Sequence, residues 1–209
     1  MAQAIHLAVL ALYLASANGL QAQGAGLGRI VFPTSGPAEA QKHFIRGVLF
    51  LHSFEYLQAR EEFQTAQKQV PAFAMAYWGE AMSYNEPLWF AQDADSARAA
   101  LKQLAATPQE RRAKARTARE AAYLEAAEIL YGEGSKEERD FKYSAAMRRL
   151  HEKYPDDHEA ALFYALSLLG TCHRGREFRK YMRAAAIAEA VLVENPKHPG
   201  ALHYAIHCY

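Results

Sequence analysis

At 209 residues the chain is long enough for one sizeable domain or a short array of helical repeats. Apolar residues make up 51% of it and charged residues 22%, which excludes intrinsic disorder because there is ample side chain to bury. Lys and Arg total 24 against 23 Asp and Glu, so no basic excess is present to neutralise phosphates and nothing indicates a nucleic-acid partner.

In chain order, the first feature is the run Ala4 to Ala17, almost wholly apolar and without formal charge. It is shorter than the roughly 20 apolar residues that a membrane span needs. It ends in Ala15-Ser16-Ala17, a small-x-small pattern of the kind that precedes signal-peptide cleavage. Residues 1–23 therefore read as a secretory signal cleaved near 17–23, with export to the periplasm or extracellular space and no stable membrane span afterwards. The alternatives are an uncleaved anchor or a buried first helix. Gly24, Gly26 and Gly28 then make 24–37 a flexible linker.

From Pro37 onward there is almost no strand signal, and apolar residues recur at helical spacing. The pattern predicts helices over 38–53, 56–69, 72–85, 94–105, 117–131, 136–153, 157–170, 179–194 and 199–209, joined by short connections that suit antiparallel neighbours. Helix-ending prolines stand at Pro71, Pro155 and Pro196. Their spacing suggests a unit of about 42 residues with one boundary lacking its Pro, the period of stacked helix pairs. Asp156 and Asp157 follow Pro155, where carboxylates cap a helix N-terminus.

The residues Gly47, Phe50, Ala59, Phe63, Ala66 and Pro71 resemble the tetratricopeptide (TPR) pattern, echoed by Tyr77, Ala81 and Tyr84 and by Ala184, Ala188, Val191 and Pro196. More narrowly, His52-Ser53-Phe54-Glu55-Tyr56, Ala76 to Met82 and His203-Tyr204-Ala205-Ile206-His207 look like a group of exported bacterial TPR proteins. The resemblance implies an all-α fold over 38–209, with antiparallel helix pairs stacked as a right-handed α-solenoid. His43 and Arg46 depart from the pattern, standing where the family prefers a large aromatic and a Leu. The final helix, 201–209, reads as half of a further pair, so the domain is expected to be truncated at its C-terminus and able to self-associate there.

In a TPR-like array the first helices line a concave groove. That resemblance assigns Phe44, Val48, Trp78 and Met82 to a groove that receives a protein or peptide segment. The same stripe also reads as core. In the turn after Tyr84, Asn85 and Trp89 reach a rim suited to ligand capture, unless Trp89 folds back as a plug. His203 and His207 stand four apart on one helix face, the spacing of two imidazoles that share a zinc or copper ion, or of two structural histidines among nine in the chain. Arg111, Arg112, Lys114, Arg116 and Arg119 form one basic group, and Arg174, Arg176, Arg179 and Lys180 another; each reads as an anionic contact or a solvated face. Cys172 and Cys208 either pair or stand as independent thiols. No nucleophile elbow, phosphate loop or dinucleotide glycine motif is present. The leading expectation is thus an exported interaction scaffold, non-enzymatic and without cofactor. The alternatives are a metal-binding domain or metalloenzyme using His203 and His207, and a self-assembling structural repeat.

Overall fold

A computed structural model describes residues 26–209. The expected signal segment lies outside the described residues. Ten α-helices follow one another: α1 (Ala38–His52), α2 (Tyr56–Gln69), α3 (Ala74–Met82), α4 (Ala94–Leu104), α5 (Pro108–Lys114), α6 (Ala118–Leu130), α7 (Lys136–Lys153), α8 (His158–Gly170), α9 (Phe178–Glu194) and α10 (Pro199–Cys208). The protein is all-α. No helix among the described residues is long and apolar enough to cross a membrane.

The periodicity places nine of these helices to within a few residues. It misses α5 and extends α3 too far. Helix α5 begins at Thr107-Pro108-Gln109-Glu110, a capping box in which the Thr107 hydroxyl accepts from the Glu110 amide while the Glu110 carboxylate accepts from the Thr107 amide. Thr117 with Glu120 and Ser135 with Glu138 start α6 and α7 in the same way. Asp157 caps α8 by accepting from the amides of Glu159 and Ala160, the role expected of it. Beyond α3 the chain leaves the helix for a minimal hairpin, β1 (Asn85–Glu86) with β2 (Ala91–Gln92), in register Asn85–Gln92 and Glu86–Ala91. A single 3₁₀ turn, Pro87–Trp89, connects them, and Phe90 closes it in the left-handed region at φ 53°.

Helices α1 to α4 pack each on the next, as do α5 to α10, and α3 meets α6. The first interface shows why its small residues matter. A Cβ on Gly47 would come within 2.6 Å of the Phe63 ring, and one on Gly79 within 2.3 Å, so both glycines let α1 and α3 close over Phe63. Gly79 faces Gly47 across that ring.

One expectation changes. Residues 29–36 are not a flexible linker. They run as a strap whose Ile30 and Phe32 are buried in the main core. Phe32 sits among Phe44, Trp78 and Tyr123 at ring-centroid distances of 5.1, 5.7 and 5.0 Å. The strap's polar groups are met as well, because Glu120 accepts from the Ser35 amide and Arg119 donates to the Pro33 carbonyl. Helix α10 packs on α1 and α8 as well as on α9, burying Ala201, Tyr204 and Cys208. At its start, the Arg29 amide donates to the Lys197 carbonyl.

Candidate metal centre

The junction of α10 with α1 and α8 holds the densest group of titratable side chains in the core. His52 is the last residue of α1, on the same face as Val48. Glu159 is the second residue of α8, in a helix otherwise almost entirely apolar. His198 caps α10 between Pro196 and Pro199. All three are fully buried, each at 0% exposure. His52 Nε2 lies 2.6 Å from Glu159 Oε2 and His198 Nε2 lies 2.9 Å from Oε1. One ligand atom from each of the three residues falls within 4.8 Å of the others.

The protons follow from the partners. A carboxylate can only accept, so the Nε2 of each imidazole carries the hydrogen in this arrangement. The Nδ1 of His52 is then free to accept from the Tyr204 hydroxyl at 2.7 Å. The Nδ1 of His198 is buried without a partner. Burial alone would raise the Glu159 pKa, but the charge of His52 and the hydrogen bonds from His198 and His52 outweigh it and hold the carboxyl down at about 2. The His52 pKa is lowered, chiefly because burial disfavours the imidazolium and despite the attraction of Glu159. These environments favour an ionised Glu159 carboxylate and a neutral His52 ring. Among the described residues the ion pairs of Glu159 are with the two imidazoles only, and Arg119, itself paired with Asp157, adds a weaker attraction from farther away.

The walls fix this geometry. The Phe163 ring stacks on His52 at 5.1 Å. Gly200 lies so close that a Cβ there would come within 2.4 Å of His52 Nδ1. Above the buried triad sits the expected pair, His203 and His207, partly exposed, with Nε2 atoms 3.2 Å apart. The Phe54 ring backs both, at 4.3 and 5.7 Å. Burial first, and the neighbouring His203 second, lower the His207 pKa.

The expected groove residues are placed differently. Phe44, Val48, Trp78 and Met82 are buried, so they do not line an open groove. Phe44 and Trp78 belong to the aromatic cluster around Phe32, where the strap covers the face that the family resemblance left open. Met82 and Asn85 do line a small cavity of about 20 Å³, together with Tyr56, Tyr143 and Phe163. Trp89 is not a plug: it is 57% exposed and meets Phe54 edge-on. The first basic group is largely spent on internal ion pairs, Arg111 with Glu128, Arg112 with Glu125 and Arg119 with Asp157. In the second, Lys180 pairs with Glu177. Cys172 and Cys208 stand as separate buried thiols.

His52, Glu159 and His198 were not singled out as a site by sequence reasoning, being scattered over nearly the whole chain. The local signals were a histidine continuing the apolar face of α1, and a glutamate opening an apolar helix just behind the two aspartates of its N-terminus.

The fold and the site together define an all-α protein with a buried His–Glu–His cluster. No family model, curated protein or solved structure matches this chain.

Proposed function

We propose that the chain is a metal-binding helical-repeat protein whose centre is His52, Glu159 and His198. The observation that carries this reading is the convergence of three donor atoms, two imidazole nitrogens and an ionised carboxylate oxygen, at a point with no exposure to solvent. Two nitrogens and one hard oxygen suit zinc, with copper its competitor on affinity. Full enclosure suits a closed, structural ion rather than a catalytic one with an open position. For both imidazoles to bind an ion through Nε2, the single proton of each neutral ring would move to Nδ1. The Tyr204 hydroxyl can then accept from His52 Nδ1 and hold that ring as a ligand.

The close packing of Gly47 and Gly79 on Phe63 supports reading the helix pairs as TPR-like, and the Ala15-Ser16-Ala17 leader supports export. The test is metal analysis of the purified untagged chain and of Glu159→Gln, with thermal melts before and after adding zinc or copper. The expected result is one tightly held ion in the parent, a raised Tm, and neither in the variant. A parent that retains no ion and whose Tm ignores both metals overturns the reading.

A scaffold for a protein or peptide partner is the second reading. It is favoured by exposed apolar side chains on α10, with Leu202, Ile206 and Tyr209 all outward. Capture of a partner by the parent but not by Ile206→Asp would support it; equal capture counts against that face.

A further inference from the structure

His203 and His207 present a different chemistry from the buried triad, and the geometry around them is that of a prepared ligand pair. They lie one turn apart on α10, where side chains four residues apart share a face. Their Nε2 atoms are 3.2 Å apart. Two nitrogens bound to one tetrahedral zinc at about 2.0–2.1 Å stand about 3.3 Å from each other, so the spacing of this pair already suits a shared ion once the rings turn from their mutual hydrogen bond.

The tautomer is set as well. His203 Nδ1 lies 2.9 Å from the carbonyl oxygen of His52. A carbonyl can only accept, so Nδ1 carries the proton and the lone pair of a neutral His203 is on Nε2, facing His207. A backbone carbonyl on the far nitrogen is the usual support of a metal-bound histidine, because it fixes the ring and raises the basicity of the ligating atom. In the ion-free pair His207 Nε2 donates to His203 Nε2, and that proton would move to His207 Nδ1 for Nε2 to take an ion. The Phe54 ring keeps both imidazoles from turning away. Phe54 itself is held in the left-handed region at φ 61°, a conformation uncommon for a large side chain.

We propose that His203 and His207 form a second site for a divalent transition-metal ion, open to solvent and exchangeable. The only group of three or more converging His, Cys, Asp or Glu ligands among the described residues is the buried triad. The outer ion therefore takes two protein nitrogens and completes its shell with water, which makes it the weaker and faster-exchanging of the two. The site uses none of the triad's donor atoms, although its carbonyl anchor is the main chain of His52.

The experiment titrates the untagged full chain with Zn²⁺ against a chromogenic chelator, and with Cu²⁺ followed by electron paramagnetic resonance. His207→Ala is the cleaner variant, because His203 also bonds to the main chain of α1. His158→Ala, at a partly exposed imidazole elsewhere, is the control. The expected result is a labile equivalent in the parent and in His158→Ala, with copper showing nitrogen coupling from two imidazoles. His207→Ala, folded by circular dichroism, should weaken that equivalent at least about tenfold, a loss of the size seen when a metal's immediate surroundings are altered. Unchanged titrations in His207→Ala, or copper spectra without two-nitrogen coupling, overturn the proposal. Glu159→Gln reports separately on the buried centre, so failure of one site is distinguishable from failure of the other.

Discussion

Gly200 illustrates how a single atom can govern the junction. Its missing Cβ leaves the space that the His52 ring occupies. Gly200→Ala should push that ring off Glu159 or Tyr204, at a cost of about 1–3 kcal/mol by the usual penalty for overpacking. Denaturant melts measure it, and a variant as stable as the parent would show that the ring has room to retreat. The carboxylate beside it makes stability depend on pH. The folded pKa of Glu159 is about 2, below its ordinary 4.5, so its contribution is complete above that ordinary value and is lost as pH falls through the window down to about 2. At 1.36 kcal/mol per unit, the shift is worth about 3 kcal/mol. His52 acts in the same sense and starts earlier. Its folded pKa is lowered from 6.5, so the unfolded chain takes up the proton first and stability begins to fall below that value. Melts between pH 7 and pH 3 should therefore show stability falling in two stages. The lower one should shrink in Glu159→Gln without vanishing, because capping hydrogen bonds also lower Asp93, Glu110 and Glu138; an undiminished lower stage there would reassign the titration.

Among the elements, the strap over 29–36 shows the largest difference between its plain sequence and its structural weight. Its Phe32 fills the space between Phe44, Trp78 and Tyr123. Phe32→Ala should cost about 3–5 kcal/mol, as expected for an aromatic cut out of a packed core. A loss below about 1 kcal/mol, the scale of an ordinary surface change, would return this segment to the role of a linker. Glu120 is the strap's other anchor. It closes the capping box of α6 and also accepts from the amide and hydroxyl of Ser35. Glu110 closes the box of α5 and makes no such contact with the strap. Glu120→Ala should consequently destabilise more than Glu110→Ala, where loss of capping is worth about 1 kcal/mol. Equal losses in thermal melts would mean that the strap gains nothing from the shared carboxylate.

For the molecule as a whole, the position of α10 decides how the fold comes apart. In an open repeat array each unit touches only its neighbours, and a terminal helix can fray alone. Here Tyr204 is buried and bonds to His52, which belongs to the first helix. Tyr204→Ala should therefore lower a single cooperative transition by about 3 kcal/mol or more, the cost of removing a buried aromatic. Hydrogen exchange would read it, with amides of α1 and α8 losing protection along with those of α10. Loss confined to α10 would restore the picture of a free terminal half-repeat.

The helices themselves were legible in the sequence because a period near 3.6 and a capping residue are local properties, carried within a dozen positions. The helix α5 escaped because seven residues are too few to show a period, although Thr107-Pro108-Gln109-Glu110 announces its start. The imidazole pair was legible for the same local reason, since His203 and His207 are separated by one turn of a single helix. Which apolar face looks inward is not a local property. Phe44 and Trp78 read equally as groove or core until the strap, from outside the repeat pattern, is seen to cover them. The buried triad is the extreme case. His52, Glu159 and His198 are ordinary singly, and only the closure of α10 onto α1 and α8 brings their donor atoms to one point. Sequence alone determined nine of the helices, because backbone hydrogen bonding and capping act over a few residues. Tertiary structure decided the site, because a ligand set drawn from three distant helices exists only once packing has paid the entropy of bringing them together.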